Sequence, residues 1–265
     1  MERPFFSVIV VAYNAEELIA PTVRSVLQQS FQDYEIIVKD ACSTDKTLEK
    51  VPHDPRVCVY STKDSGIYDG MNEAVRYATG KFCTFLNCGD TFYDSYVLEK
   101  IYATAKDCAP DNTILYGDCC RGAYYVKQPG KITPFYLYRT PLNHQSMFFG
   151  TELFAKYGEY DAELKIAADY EFTTRAYKAG VGFVYCPVTV CHYLGGGVSE
   201  SKKGEQIKKR DYEKIYSKYY TSGERRKYDL MLALSMKKLR QRISSGNSPK
   251  FLKRLYRALV NAVNK

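Results

Sequence analysis

Tryptophan is absent from this 265-residue chain, and histidine occurs only three times. The three do not cluster in the sequence, so no group of histidines is there to complete a zinc site. Nine cysteines are present, but none forms a CxxC pair, so neither a zinc ribbon nor a thioredoxin-like redox motif is encoded. An odd cysteine count without an export signal predicts reduced thiols in a cytosol. Charged Glu2 and Arg3 precede an apolar run of only strand length, which does not read as a signal peptide. No window approaches the roughly 18 apolar residues of a membrane span. There is no internal repeat and no low-complexity tract. No acidic residue occurs after Asp229.

The chain has instead the composition of an ordinary globular protein, 45% hydrophobic and 26% charged, with 25 Tyr and 13 Phe to pack a core. Its net charge of +8 is uneven. Residues 200–265 hold 19 Lys+Arg against 6 Asp+Glu, a net +13, which leaves the rest at −5. A mildly acidic body with a basic tail points to an anionic partner for the tail.

The first half alternates two periodicities. Apolar, β-branched runs at 7–13, 34–38, 57–60 and 81–86 read as buried strands. Between them, 16–29 and 67–79 carry apolar residues at helical spacing, and Ser43, Thr44 and Asp45 offer capping chemistry to a helix near 47–51. This βαβ alternation predicts a single doubly wound, mostly parallel α/β sheet with flanking helices. Beyond it, 94–105, 152–157 and 169–179 read as helices. Strands are predicted at 113–117, 124–128, 145–150, 181–185 and 188–192. Residues 194–201, with their glycine triplet, read as a mobile loop. Three helical patterns follow, at about 204–220, 225–243 and 249–263.

Each early strand ends in a polar side chain: Asn14, Asp40, Asp64 just past its strand, and Asp90. Open α/β sheets place ligands beyond the carboxyl ends of their strands, so these residues suggest a site for a metal-bound nucleotide. Asp90, on the Gly89 turn, suits Mg²⁺ or Mn²⁺ shared with phosphate oxygens, or else caps the next helix. Asp40 suits a base N–H, or else a turn. Tyr13 suits stacking on a base. His144 and Gln145 precede an apolar strand. His192 ends a strand beside the glycines, placed to ligate a metal or meet pyrophosphate. Asp169 stands near a helix start, where apolar neighbours would raise its pKa and the helix N-terminus would lower it.

Taken together, SVIVVAYN, DACSTDKT, DSGIYDGMNEAVRYATGKFCTFLNCGD, HQSMFF and ADYEF resemble glycosyltransferase family 2, the inverting enzymes of GT-A fold. The resemblance covers about 5–199, and the third segment resembles the subset that makes capsule, exopolysaccharide and O-antigen chains. It implies a GT-A domain at 1–199, with a donor half at about 1–93 and an acceptor half at about 94–199, followed by a basic helical extension at 200–265. It implies Asp169 as general base, and Asp90 with His192 as holders of Mn²⁺ or Mg²⁺ at the leaving diphosphate. Tyr13, Asn14, Asp40, Asp64, Asn72 and Asn87 would meet the donor nucleotide, and His144, Gln145 and Glu171 the acceptor side. The implied partners are a nucleotide sugar, UDP-linked by preference, and a polyprenyl-diphosphate-linked saccharide. Two departures stand out. The common D-x-D-D is here Asn87-Cys88-Gly89-Asp90, and Ala168 replaces the Glu that usually precedes the base.

Residues 249–263 form a basic amphipathic pattern suited to an anionic bilayer. Cytoplasmic protein attached peripherally to the inner membrane face is the expectation; packing on the body or a homodimer is the alternative. Two rival functions remain at this point. A nucleotidyltransferase would want a glycine-rich, basic segment after the first strand, where this chain has AEELIAPTVRSV. A nucleic-acid-binding protein using the tail would leave the polar strand ends unexplained.

Overall fold

A computed structural model describes residues 3–196 and 201–235. The helices expected at 249–263 and at the end of 225–243 lie outside the described residues, as does part of the glycine loop. The chain divides into two compact units, Met1–Ile132 with Leu142–Tyr212, and Thr133–Pro141 with Glu213–Lys265.

The first unit is built on one sheet in the order β3-β2-β1-β4-β8-β6-β9-β5, with β7 paired to β6. Strands β1 (Phe6–Ala12), β2 (Tyr34–Asp40), β3 (Val57–Ser61) and β4 (Phe82–Asn87) are mutually parallel. Helices α1 (Ile19–Leu27) and α2 (Ile67–Val75) fall between them. The β1 segment Phe6–Val10 is wholly buried because it lies between β2 and β4 with both faces covered, as its continuous apolar run requires.

The second half is mixed. It contains β5 (Thr91–Phe92), α3 (Val97–Ala105), β6 (Thr113–Arg121), β7 (Tyr124–Val126), β8 (Met147–Gly150), α5 (Glu152–Tyr157), α6 (Ala168–Lys178) and β9 (Gly182–His192). Strand β8 runs antiparallel to both β4 and β6 and joins the two halves. The strands expected at 181–185 and 188–192 are one strand, because β9 keeps pairing with β6 through a register shift at Tyr116–Cys119. The helix expected at 47–51 is one 3₁₀ turn, Leu48–Lys50. All nine cysteines are unpaired.

A close backbone approach fixes the β8 junction. A Cβ on Gly150 would lie 1.5 Å from the Pro110 carbonyl oxygen. Backbone cannot yield as a side-chain tip does, so Gly150→Ala is expected to cost about 3 kcal/mol, the upper end for overpacking. A urea midpoint within error of wild type would overturn this.

The second unit holds α4 (Pro134–Arg139), the end of α7 (Lys202–Tyr219) and α8 (Ser222–Ser235). Thr133 caps α4 by accepting from the Tyr136 N–H, and Pro134 supplies the first helical position. Tyr138, Tyr220 and Tyr228 form its small core, and the Tyr138 hydroxyl donates to Asp229 at 2.7 Å. The boundary expected at 199/200 is therefore shifted. Residues up to Tyr212 belong with the sheet, and a nine-residue insertion belongs with the extension.

Candidate active site

A cleft of about 680 Å³ opens beyond the carboxyl ends of β1, β2 and β4. Tyr13, Asn14, Asp64 and Asn87 line it, as expected, together with Lys63, Ile67, Cys42 and Cys88. The Tyr13 ring is 64% exposed and free to meet a planar ligand. Asn14 bends the chain out of β1 with φ 45°, and its Oδ1 accepts the Thr44 N–H at 2.9 Å.

Asp40 does not reach this cleft, which corrects the base-contact assignment. Its carboxylate is fully buried and accepts from the Ser43 N–H at 3.0 Å, the Ser61 hydroxyl at 2.7 Å and the Ser43 hydroxyl. Those bonds hold the turn that carries Ala41 and Cys42 into the cleft wall.

Asp64 is held by a residue that sequence reasoning missed. Lys39 is fully buried, and its ammonium pairs with Asp64 at 3.0 Å and Glu73 at 3.4 Å while donating to the Thr62 carbonyl at 2.7 Å. A buried cation survives because these oxygens replace its water. Its signal was a lone Lys inside the buried run YEIIVKD.

Asn72 is also corrected. It is buried, and its amide exchanges two 2.9 Å hydrogen bonds with the Tyr160 backbone, so it ties α2 to the segment before α6 and does not face a donor. Glu171 pairs with Arg175 at 3.0 Å in the interior. Two residues along a helix are about 200° apart, so Glu171 cannot share the face of Asp169.

Asp90 sits on the turn after β4 and is only 3% exposed. Its Oδ1 accepts the Leu194 N–H at 2.9 Å, whereas Oδ2 is buried without a hydrogen-bond partner. Burial raises its pKa; the Leu194 N–H, His144 and the buried Gln145 oppose that rise. Asn87 Oδ1, three residues earlier, is likewise buried and unpartnered. Among the described residues no group of three His, Cys, Asp or Glu side chains gathers for a metal. The residues still fit a divalent cation of the hard, oxygen-seeking kind, which keeps waters and takes phosphate oxygens beside one carboxylate. His192 is exposed, in register with Thr91, and its ring stacks on Tyr93 at 4.8 Å.

The other pole is Asp169, in the first turn of α6. Its Oδ1 accepts the Tyr68 hydroxyl at 2.9 Å and its Oδ2 faces His144 Nδ1 at 3.0 Å. On the far side of the ring, His144 Nε2 lies 3.3 Å from the Asn87 amide nitrogen. An amide nitrogen only donates, so Nε2 accepts and Nδ1 carries the proton toward Asp169. Burial pushes the Asp169 carboxyl up, but His144 and Tyr68 outweigh it and the net shift is down. The net direction is the lowered one, set mainly by His144 and Tyr68 with the Tyr170 N–H of the helix start adding to it. Asp211 accepts the Ile166 N–H at 2.9 Å and the Ala167 N–H at 3.3 Å, pinning the backbone that delivers Asp169. Nothing near Asp211 in the sequence announced this.

The family model for Glycosyl transferase family 2 matches residues 7–157. The chain is 28% identical over 218 residues to a PGL/p-HBAD biosynthesis glycosyltransferase of Mycobacterium tuberculosis, covering 79% of this chain and 85% of that one. It is 40% identical over 115 residues to TuaG of Bacillus subtilis, a glycosyltransferase named for teichuronic acid biosynthesis, covering 40% of this chain and 45% of that one. Its fold is similar to that of S. aureus TarS in complex with UDP, with a TM-score of 0.63 and 21% identity over 91% of this chain and 72% of that chain. A further TarS structure is in complex with UDP-GlcNAc.

Proposed function

The chain belongs to glycosyl transferase family 2, and from that premise we propose that it is an inverting enzyme. It moves a hexose or N-acetylhexosamine from a UDP-linked donor to a hydroxyl of a lipid-linked saccharide in bacterial surface polysaccharide synthesis. The observation that carries this is the hydrogen-bonded string Asn87–His144–Asp169, which joins the wall of the nucleotide cleft to a carboxylate held ionised. The UDP and UDP-GlcNAc held by TarS support the choice of nucleotide.

Asp169 takes the proton of the acceptor hydroxyl as that oxygen attacks the anomeric carbon from the face opposite the diphosphate. The bond to the diphosphate oxygen breaks, and UDP leaves with the pair of electrons. Asp90, with His192, would hold a divalent cation, Mn²⁺ or Mg²⁺, which when bound neutralises charge growing on that diphosphate. Tyr13 and the 41–42 turn bound the base end, and Lys63 adds positive charge to the cleft. His144 and Gln145 stand on the acceptor side, where His144 orients the base.

Peripheral attachment to the inner membrane face belongs to the same reading. Residues 246–265, which would make that contact, lie outside the described structure. Among the described residues no helix is long and apolar enough to cross a membrane.

The test is calorimetric titration with UDP and GDP in Mn²⁺, followed by turnover of UDP-glucose, UDP-galactose and UDP-GlcNAc. UDP should bind at least tenfold tighter than GDP, and one UDP-sugar should release UDP. Preference for GDP, or pyrophosphate released from UTP and a sugar phosphate, would sink the assignment.

A further inference from the structure

The solvent face of the strand group β7-β6-β9-β5 carries two tyrosines, Tyr93 and Tyr125, that the donor chemistry does not use, in a row that ends at His192. Tyr125 is in register with Cys120, Cys120 with His192, and His192 with Thr91, the residue that follows Asp90. Register partners share a face of a sheet. Above the buried Cys120, the Tyr93 ring bridges the gap. It stacks on His192 at 4.8 Å, lies 6.1 Å from Tyr125, and shares a 2.6 Å hydroxyl contact with it. Tyr125 is 63% exposed, whereas Tyr124, in register with Arg121, belongs to the other face. A single exposed ring needs no explanation, but rings grouped on one face of a strand edge form a surface that can take a ligand.

We propose that this row is a binding subsite for a pyranose ring of the saccharide acceptor. The inference rests on the glycosyltransferase reading above and extends it to the acceptor. A pyranose presents a face of C–H bonds edged by hydroxyls. The row presents ring faces edged by the tyrosine hydroxyls and the imidazole of His192, so apolar face meets apolar face and rim meets rim. Its position fits this occupant. The row begins at the residue after Asp90, and Leu194, two residues past His192, closes onto the Asp90 carboxylate. A saccharide stacked there runs continuously into the site where its terminal hydroxyl would react.

The experiment is saturation-transfer NMR on the full chain with UDP present, using the methyl β-glycosides of glucose, galactose and N-acetylglucosamine in turn. In the wild type the ring protons of at least one glycoside should take up saturation. Tyr93→Ala/Tyr125→Ala should bind that glycoside about tenfold more weakly, the worth of about 1.4 kcal/mol of stacking. Tyr125→Phe keeps the ring and should keep most of the affinity. Tyr96→Ala, an exposed tyrosine off the row, should change nothing. The proposal falls if no glycoside is saturated in the wild type, or if the double variant binds as well as wild type. It also falls if the two tyrosines instead govern dimerisation or binding to phosphatidylglycerol vesicles. Absence of any UDP signal in the wild type would sink the donor reading separately, since the glycoside signals are read from different protons.

Discussion

Asp169→Asn should lower the rate of sugar transfer by about 10³ to 10⁴, the upper range for removal of a general base, while UDP affinity stays within about twofold. The substitution keeps size and shape, and the hydrogen-bond string can survive it by reversing. The new amide nitrogen donates to His144 Nδ1, the ring proton moves to Nε2, and the Asn87 amide turns over so that its Oδ1, in place of its nitrogen, faces Nε2 and accepts. That oxygen is buried and unpartnered in the wild type, so the reversed string has an acceptor waiting. Stability should therefore change by less than about 1 kcal/mol, and the loss is one of chemistry. Wild-type transfer by the Asn variant would place the base elsewhere.

The pH dependence separates the partners of Asp169. Its carboxyl lies below the ordinary range because His144 and Tyr68 together outweigh burial. A base works in its ionised form, so the acid limb of kcat should fall below the usual carboxylate range. Removing a donor leaves burial less opposed and raises the pKa. In Tyr68→Phe and His144→Gln that limb should move to higher pH. The same group contributes stability above its unfolded pKa, and that contribution is lost as pH falls through the lower folded value. An unchanged acid limb in both variants would show that Asp169 does not set it.

The donor half was legible in the sequence because its information is local. Buried parallel strands write themselves as unbroken apolar runs, and their ends mark the cleft, so Tyr13, Asn14 and Asp64, which line it, stood out at strand ends, while Asn87 came in only through the family resemblance. Asp40 shows the limit of that rule. It ends β2 as Asp90 follows β4, but whether a strand-end carboxylate faces a ligand depends on what else can donate to it. Ser61, twenty-one residues on, turns Asp40 into a structural group. His144 and Asp169 were each legible as candidates, yet their pairing was not, because β8 and α5 intervene between them. Lys39 and Asp211 were missed for the same reason: each acts through partners that only the fold brings near. The mixed second half was read less well, since antiparallel strands of three or four residues carry too few positions to declare a period.

Asp90→Asn should move activity and stability in opposite directions. In the wild type a nearly buried carboxylate has one oxygen held by the Leu194 N–H and the other without a hydrogen-bond partner, and burial outweighs Leu194, His144 and Gln145 to raise its pKa. A raised carboxyl pKa means the folded state holds its proton more tightly than the unfolded chain. Stability is therefore greatest below the unfolded value and declines as pH rises through the folded one, so at neutral pH the ionised group is a cost. The neutral amide keeps an oxygen for the Leu194 N–H and removes the uncompensated charge. It should raise stability by about 1 kcal/mol, or about 2–4 °C in Tm for a chain of this size. Transfer should fall by about 10² to 10³, because the carboxylate that would hold the cation neutralising the departing diphosphate is lost. Such a trade is expected where a site is kept strained for function. Mn²⁺ separates this from simple repacking. If Asp90 holds the cation, Mn²⁺ should raise the Tm of the wild type, whose unpartnered carboxylate oxygen it would satisfy, and should leave the Asn variant unmoved. An equal Mn²⁺ shift in both proteins would mean that the cation is held somewhere other than Asp90.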